Sequence, residues 1–332
     1  MTAVEEEIRK TTADLLAEGK ADIVIGFAAG SLPMRATPCF ITEPEAAQQL
    51  VWNSYCLNNL AVYLPGYFVP APSLKEEKPA PKVAIVVKGC DGRSVVGLIK
   101  ERQILRENLI IIAAPCEGML DVDITQELVG TNEIVCAQEK NGEVTITDEM
   151  GKKTKFSRKE LLAESCRFCK HRAAPVYDIA VGELPQSKDA LAPDNRFEEF
   201  LKKSSAERWE QFSREISKCV LCNACRSACP NCYCKVCFAD QTRPNWTGSG
   251  GELRDVISYH LGRMFHQAGR CVDCGACVRA CSMGVDLRTF TYKLVEDAGE
   301  LFDYTAGLDL EHVPPLMDFN ASDSDSFITE PE

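Results

Sequence analysis

Residues 219–229 read Cys-Val-Leu-Cys-Asn-Ala-Cys-Arg-Ser-Ala-Cys, and residues 271–281 repeat the cysteine spacing as Cys-Val-Asp-Cys-Gly-Ala-Cys-Val-Arg-Ala-Cys. Three closely spaced thiolates in a turn can bind three irons of one [4Fe–4S] cube, whereas the fourth cysteine starts the next helix and reaches a second cube. We therefore predict two clusters. One is bound by Cys219, Cys222, Cys225 and Cys281, and the other by Cys271, Cys274, Cys277 and Cys229.

Zinc is the competing explanation for cysteines at this density. Zinc takes four tetrahedral ligands, often paired Cys-x2-Cys units in which histidine can substitute. Neither run contains a histidine at ligand spacing. The pattern instead resembles the ligand arrangement of two-cluster bacterial ferredoxins, with Ser282 in place of the proline that follows the first run.

Length and charge limit the classes of function. A chain of 332 residues is long for one compact domain, so two or three units are expected. With 37 basic and 49 acidic residues the net charge is 37 − 49 = −12. This sign argues against nucleic acid or an anionic membrane as the main partner.

The sequence also predicts a cytoplasmic location. The first twenty residues are charged and lack the apolar core of a signal peptide, and no apolar run has the length of a membrane span. Disulfides are rare in the cytoplasm. Eighteen cysteines there indicate metal or redox chemistry.

The strongest α/β signal lies near the middle of the chain. After a loop at 65–81, an apolar strand at 82–88 is followed by a helix at 94–103 and a second strand at 109–114. This pattern predicts a βαβ unit and a parallel sheet. Further helices are predicted at 5–18, 43–63, 156–164, 196–218 and 253–267, a strand at 22–27, and a hairpin at 133–154.

We predict an α/β N-terminal domain with a mixed sheet, followed by a mostly α-helical, ferredoxin-like dicluster domain. The α/β domain spans 1–185, and a linker with a charged helix spans 186–218. The dicluster domain spans 219–305 with an insertion at 232–270, and an acidic tail spans 306–332, either disordered or draped over a partner.

Other cysteines could hold a third cluster. Five of them lie near the runs: Cys166, Cys169, Cys232, Cys234 and Cys237. The alternative is that some of these five pack in the core or tune the two predicted clusters. Cys39, Cys56 and Cys136 are scattered and are expected to be buried apolar thiols.

Two turns and a cysteine pair carry a family resemblance. The motifs are Lys88-Gly-Cys-Asp-Gly-Arg93, Pro115-Cys-Glu-Gly118, and Cys166-x2-Cys169 followed by Pro-Val-Tyr-Asp-Ile at 175–179 and Gly-Glu at 182–183. Over residues 80–185 the chain resembles the beta subunits of coenzyme F420-reducing hydrogenases and F420-dependent formate dehydrogenases. The first eighty residues resemble them poorly.

The resemblance implies FAD beside the iron–sulfur clusters. A flavin can exchange single electrons with clusters and an electron pair with a hydride carrier. The first turn opens a helix with backbone N–H groups and two cations, which suits a pyrophosphate; the alternative is an ordinary βα connection capped by Asp91. The resemblance assigns the flavin to Lys88, Gly89, Cys90, Asp91, Arg93, Pro115, Cys116, Glu117 and Gly118.

The leading prediction is an electron-transfer iron–sulfur flavoprotein subunit of an oxidoreductase complex. Its partners would be the catalytic subunit of a formate dehydrogenase or hydrogenase and a hydride carrier, either F420 or NAD(P). The subunit would not act on the primary substrate alone, since no catalytic constellation is visible in its sequence. The alternative is a flavin-free polyferredoxin-type relay in a heterodisulfide-reductase-like complex.

Overall fold

The computed structural model describes residues 2–68, 80–186, 190–191, 196–248 and 250–318. Most of the predicted 65–81 loop, part of the predicted linker and the end of the predicted tail lie outside them. The strands are β1 (Ile23–Ala29), β2 (Ala36–Ile41), β3 (Val83–Val87), β4 (Leu109–Ala113), β5 (Ile134–Lys140), β6 (Glu143–Asp148), β7 (Lys153–Ser157) and β8 (Ile179–Ala180).

The helices divide between the two ends of the chain. The N-terminal half contains α1 (Ala3–Ala17), α2 (Pro65–Phe68), α3 (Gly89–Lys100), α4 (Val122–Val129) and α5 (Glu164–Arg167). The C-terminal part contains α6 (Arg196–Leu201), α7 (Ser205–Ile216), α8 (Ala224–Ser227), α9 (Leu253–His266), α10 (Ala276–Arg279) and α11 (Leu287–Phe302).

A five-stranded mixed sheet forms the core of the N-terminal half. Its strand order is β2-β1-β3-β4-β8, and only the β1–β2 pair is antiparallel. Every residue of β3 is buried, as expected for a central strand of a sheet covered on both faces. The predicted βαβ unit is confirmed as β3-α3-β4, and the mixed α/β sheet is confirmed with it.

A second, antiparallel sheet replaces the simple hairpin of the prediction. β5, β6 and β7 pair in sequence order, and Val144 lies opposite Phe156. The helix predicted at 156–164 is therefore wrong over residues 156–163, because Phe156 belongs to β7 and Ser157 then makes a turn with Glu160. α5 begins only at Glu164.

Two other helix predictions differ from the structure. Residues 43–63 form two short 3-10 helices, Pro44–Gln49 and Leu60–Tyr63, since side chains such as Asn59 bond to nearby backbone N–H groups and compete with a regular helix. The single helix predicted at 196–218 is interrupted, because Ser204 caps a new helix, α7, together with Glu207.

The two cysteine runs follow the same backbone path. Leu221 and Asn223 in the first run, and Asp273 and Gly275 in the second, have left-handed φ angles of 52°, 60°, 55° and 71°. The first of each pair donates its backbone N–H to the leading cysteine, from Leu221 to Cys219 at 3.3 Å and from Asp273 to Cys271 at 3.4 Å. The short helices α8 and α10 then begin at equivalent positions.

The first residues of the predicted tail pack against the N-terminal half. Tyr304 and Ala306 are buried beside Cys90, and Lys100 at the end of α3 donates to the carbonyl of His312 at 2.5 Å. Residues from Tyr304 to His312 therefore contact α3 of their own chain, so the start of the tail predicted at 306–332 is neither disordered nor bound to a partner. The charge pattern could not reveal this, because the contacts involve buried aromatic and backbone groups.

Candidate functional site: cysteine-lined cavities

A cavity of about 130 Å³ at the carboxyl ends of β3 and β4 is lined by five cysteines, Cys274 of the second run and four others after which we call it the four-cysteine cavity. Its lining includes Cys90 from the first turn of α3, Cys116 after β4, and Cys166 and Cys169 from α5 and the loop beyond it. Burial raises the pKa of Cys116 to about 12, and the neighbouring Cys166 thiol adds to this rise. Such thiols deprotonate readily only when a metal replaces the proton, so the donor set fits an iron–sulfur cluster.

The two cations of the turn assigned to a flavin pyrophosphate form hydrogen bonds with other groups of the protein. The Lys88 ammonium lies 2.8 Å from the Asp91 carboxylate and donates to the carbonyl of Asn58 at 2.6 Å, and only 3% of its side chain is exposed. Arg93 donates to the carbonyls of Ala306 and Val272 at 2.9 and 3.2 Å. Both cations therefore already have hydrogen-bond partners within the protein.

Close packing also covers the N-terminus of α3. A Cβ atom at Gly89 would lie 1.9 Å from the carbonyl oxygen of His171, and one at Gly92 would lie 2.6 Å from the Ala174 side chain. The glycines thus allow the loop at 171–174 to approach the helix. The loop therefore lies close against this helix end, and Lys88 and Asp91 pair within the cysteine-bearing turn. The flavin assignment of these residues stays a prediction.

Residues 115–118, which the resemblance also assigns to the flavin, make hydrogen bonds mainly through their backbone carbonyls. Pro115 accepts a hydrogen bond from the Trp52 indole at 2.9 Å, and the carbonyls of Glu117 and Gly118 accept from Arg158 at 2.7 and 2.6 Å. Glu117 is exposed. Gly118 has a φ of 89°, a conformation that a side chain would strain. These residues hold Cys116 in place.

The second cysteine run forms its own cavity. Four of the eight cysteines line a space of about 30 Å³: Cys229, Cys271, Cys274 and Cys277. These are the four thiols that the spacing assigns to one cluster. Cys274 also lines the four-cysteine cavity described above, so the two cavities share a wall.

The first run assembles the remaining four thiols. Burial raises the pKa of Cys219, and the nearby thiols of Cys225, Cys281 and Cys222 raise it further. Cys225 is buried, whereas Cys222 is exposed. This set is the one the spacing assigns to the other cluster, and it has one thiol at the surface.

Helix α9, in the insertion between the two runs, lines the cysteines with polar groups. His260 places its Nε2 atom 3.2 Å from Cys219 Sγ, the Tyr259 hydroxyl lies 3.7 Å from Cys225 Sγ, and Arg263 donates to the carbonyl of Cys225 at 3.0 Å. Burial and the charge of Arg263 lower the pKa of His260 to about 4, so its ring is neutral at neutral pH.

The sequence prediction missed these polar residues of α9. The helix was predicted from the periodicity of its apolar positions, of which Val256 and Met264 are buried while Phe265 is 64% exposed. The available signal was the spacing of Tyr259, His260 and Arg263, which places two aromatic polar groups and a cation within about one helical turn of each other, between two cysteine-rich segments.

The five additional cysteines lie in two different places. Cys166 and Cys169 line the four-cysteine cavity, whereas Cys232, Cys234 and Cys237 line a separate cavity of about 160 Å³. Of the three scattered cysteines, Cys56 is buried, and Cys39 and Cys136 are half-buried. Within the described ranges, no three His, Cys, Asp or Glu residues form a site for a single metal ion.

A wider cavity of about 380 Å³ lies between the N-terminal half and the cysteine runs. Arg35, Asn58 and Tyr63 line it on one side, and Ser227 and Arg279 line it on the other. Arg279 also lines the four-cysteine cavity and donates to the carbonyls of Cys274 and Leu57, both at 3.0 Å. Among the helices described, none is long and apolar enough to cross a membrane.

Comparison with known proteins yields relatives over nearly the whole chain. The beta subunit of F420-dependent formate dehydrogenase 1 from Methanococcus maripaludis is 23% identical in an alignment of 361 positions that spans 91% of this chain and 90% of the relative. The corresponding beta subunit from Methanocaldococcus jannaschii is 20% identical, with 91% of each chain covered. Both are named as subunits of an oxidoreductase.

Two further comparisons complete this result. A chain in the solved F420-reducing [NiFe] hydrogenase complex from Methanosarcina barkeri superimposes with a TM-score of 0.37 and 16% identity, covering 52% of this chain and 65% of that chain. No protein-family model matches the sequence.

Proposed function

We propose that this chain is the electron-transfer subunit of an F420-linked oxidoreductase complex, and that its partner is the catalytic subunit of a formate dehydrogenase or hydrogenase. The observation that carries the proposal is the position of Cys274, which lines both the four-cysteine cavity and the cavity of the second run. Clusters in two cavities that share a lining residue are suited to pass single electrons from one to the other. The names of the two formate dehydrogenase relatives supply the type of complex.

Three clusters follow from the cysteine sets. The two runs would hold one [4Fe–4S] cluster each, in the ferredoxin arrangement. Cys90, Cys116, Cys166 and Cys169 would hold a third, which reassigns Cys90 and Cys116 from the flavin to a cluster. We also place the protein in the cytoplasm, because a chain with eighteen cysteines and such clusters requires a reducing compartment.

We further propose that FAD binds in the wide cavity and not at the Lys88 turn. Its volume of about 380 Å³ lies within the range of small-molecule sites, about 300–1,000 Å³. Arg35 is 52% exposed and lies 3.5 Å from Asp123, and such an exposed ion pair is weak enough to yield to a pyrophosphate. A bound flavin would exchange electrons singly with clusters and in pairs with a hydride carrier.

The first experiment measures flavin released per polypeptide after anaerobic purification, and then reduction of F420 by the protein with dithionite as electron donor. We expect about one FAD per chain and reduction of F420 but not of NAD(P)⁺. The Arg35→Ala variant should retain less FAD, whereas Arg254→Ala should retain as much as the wild type, because Arg254 is a surface residue of α9 outside the cavity.

Lys88 and Arg93 already form hydrogen bonds within the protein, and this favours a second candidate function, the flavin-free relay. Absence of flavin after incubation with FAD, together with reduction of protein electron acceptors, would establish the relay and overturn the flavoprotein. Reduction of NAD(P)⁺ in place of F420 would overturn the proposed carrier.

A further inference from the structure

We propose that Cys232, Cys234 and Cys237 hold an additional [4Fe–4S] cluster, with three protein thiolates and one iron that lacks a cysteine ligand. The proposal goes beyond the function proposed above, which requires only the other twelve cysteines of the three clusters. It starts from a cavity of about 160 Å³ in which these three are the only cysteines among the described lining residues.

The surroundings of the three thiols are not those of packing residues. Cys234 is exposed, and Cys232 and Cys237 are half-buried. A thiol that serves only to fill the core is among the most buried of side chains. Three partly accessible thiols within six residues therefore indicate ligands.

The charge of the cavity suits a bound anion. Its lining includes four cationic side chains and one carboxylate: Arg226, Lys235, Arg263, Arg270 and Asp240. Arg226 bonds both oxygens of Asp240 at 2.9 and 2.8 Å, and this pair closes one wall. A cubane bound by three thiolates carries net negative charge. Arg226 is paired with Asp240 and Arg270 with Glu101, so Arg263 is the buried cation of the lining whose charge would stabilise the cluster in a partly desolvated site.

The ligand set favours a cluster over a single zinc ion. Three cysteines line the cavity of about 160 Å³, one fewer than the four thiolates of an all-cysteine zinc site. A cubane also spreads three thiolates over three irons, whereas zinc requires all its ligands around one point. The fourth iron would face the open part of the cavity, where His266 is the remaining nitrogen ligand in the lining.

A physical link joins this site to the second cysteine run. Gln267 lies with Oε1 3.7 Å from Cys229 Sγ and with Nε2 3.7 Å from Cys232 Sγ, so one side chain contacts both sets of thiols. Electrons could pass between the two clusters at this point. Because Cys234 and Val236, the latter at 64% exposure, lie at the surface, the additional cluster would lie close to the surface, as would the cluster of the first run at Cys222.

The test compares metal content in full-length variants purified and reconstituted without oxygen. Cys234→Ser/Cys237→Ser should contain about four iron atoms and four sulfides fewer per chain than the wild type. Its EPR spectrum should lose one reduced-cluster signal and keep the others. The matched control is Cys39→Ser/Cys136→Ser, which removes two half-buried thiols on β2 and β5 and should leave iron unchanged.

The possible results separate this proposal from the proposed function. Unchanged iron in a folded Cys234→Ser/Cys237→Ser variant, verified by gel filtration, would overturn the additional cluster. Loss of one zinc in place of iron would overturn it as well. The Cys90→Ser variant tests the four-cysteine site separately. If Cys90→Ser loses iron and Cys234→Ser/Cys237→Ser keeps it, the result supports the proposed function and refutes the additional cluster. Loss of about four irons in each variant would support both.

Discussion

Lys88 and Asp91 form an ion pair in one of the least exposed parts of the N-terminal half, with 3% and 0% of their side chains accessible. The pair joins the end of β3 to the first turn of α3, because Asp91 also accepts the backbone N–H of Lys88 at 3.3 Å. At the scale of single residues, its role is to fix the direction in which Cys90 enters the four-cysteine cavity.

We expect Lys88→Met to destabilise the protein by about 3–5 kcal/mol, because it leaves the Asp91 carboxylate buried without a partner. The double variant Lys88→Met/Asp91→Asn should recover much of this loss, since the buried charge is removed. The measurement is the urea concentration at half-unfolding for the cluster-free proteins. Equal stability of Lys88→Met and wild type would show that the pair does not hold this turn.

The same residues show why the site was only partly predictable. The order Lys-Gly-Cys-Asp-Gly-Arg correctly indicated a turn between a strand and a helix, and its functional role stays a prediction based on the tendency of such strand ends to bind ligands. It could not indicate that Lys88 pairs within the turn, or that Arg93 reaches carbonyls about 180 and 210 residues away. Such distant partners are set by tertiary packing and leave no local pattern.

At the scale of elements, α9 connects the insertion to the predicted first cluster. Its length was predicted to within one residue, at 253–267 against Leu253–His266, because its apolar positions recur with helical periodicity. The sequence did not predict that a polar face of this helix lies against the cysteines. His260 is buried, with Nε2 near Cys219 and with no hydrogen-bond partner for Nδ1 among the described residues. Its Nε2 is therefore suited to donate to a cluster thiolate.

We expect His260→Phe to make the reduction potential of the first cluster more negative, because a hydrogen bond to a ligand sulfur stabilises the more negative, reduced form. The potential of the cluster bound by the second run should not change. Redox titration monitored by EPR measures both. His260→Gln, which keeps a donor, should restore part of the shift; equal potentials in wild type and His260→Phe would exclude the hydrogen bond.

At the scale of the whole molecule, α3 is joined to the cysteine-rich part by a charged network. Glu101, just after α3, accepts from Arg270 Nη2 at 2.6 Å and from the Tyr233 hydroxyl, and Arg270 also contacts Tyr233 at 2.6 Å. The Arg270 and Glu101 side chains are 16% and 11% exposed. A pair shielded to this degree contributes more than a surface ion pair.

We expect Glu101→Ala to cost about 1–3 kcal/mol, because Arg270 and Tyr233 lose a charged hydrogen-bond partner. The control, Glu143→Ala, breaks an exposed pair with Lys155 and should cost less than about 1 kcal/mol. Thermal unfolding of the two cluster-loaded variants provides the comparison. Similar melting temperatures for the two would show that the network does not join the halves.

Arg93 has a consequence for how such a protein can be divided. Its guanidinium is buried within the N-terminal half, yet its acceptors, Val272 and Ala306, come from the last part of the chain, and Gly307 approaches its carbonyl too closely for any side chain. A fragment that stops near residue 186 would keep this cation and lose its acceptors. The two parts of the chain therefore cannot be exchanged independently between proteins. A fusion of the cluster-bearing part to another protein would also have to include the surface of α3 that it contacts.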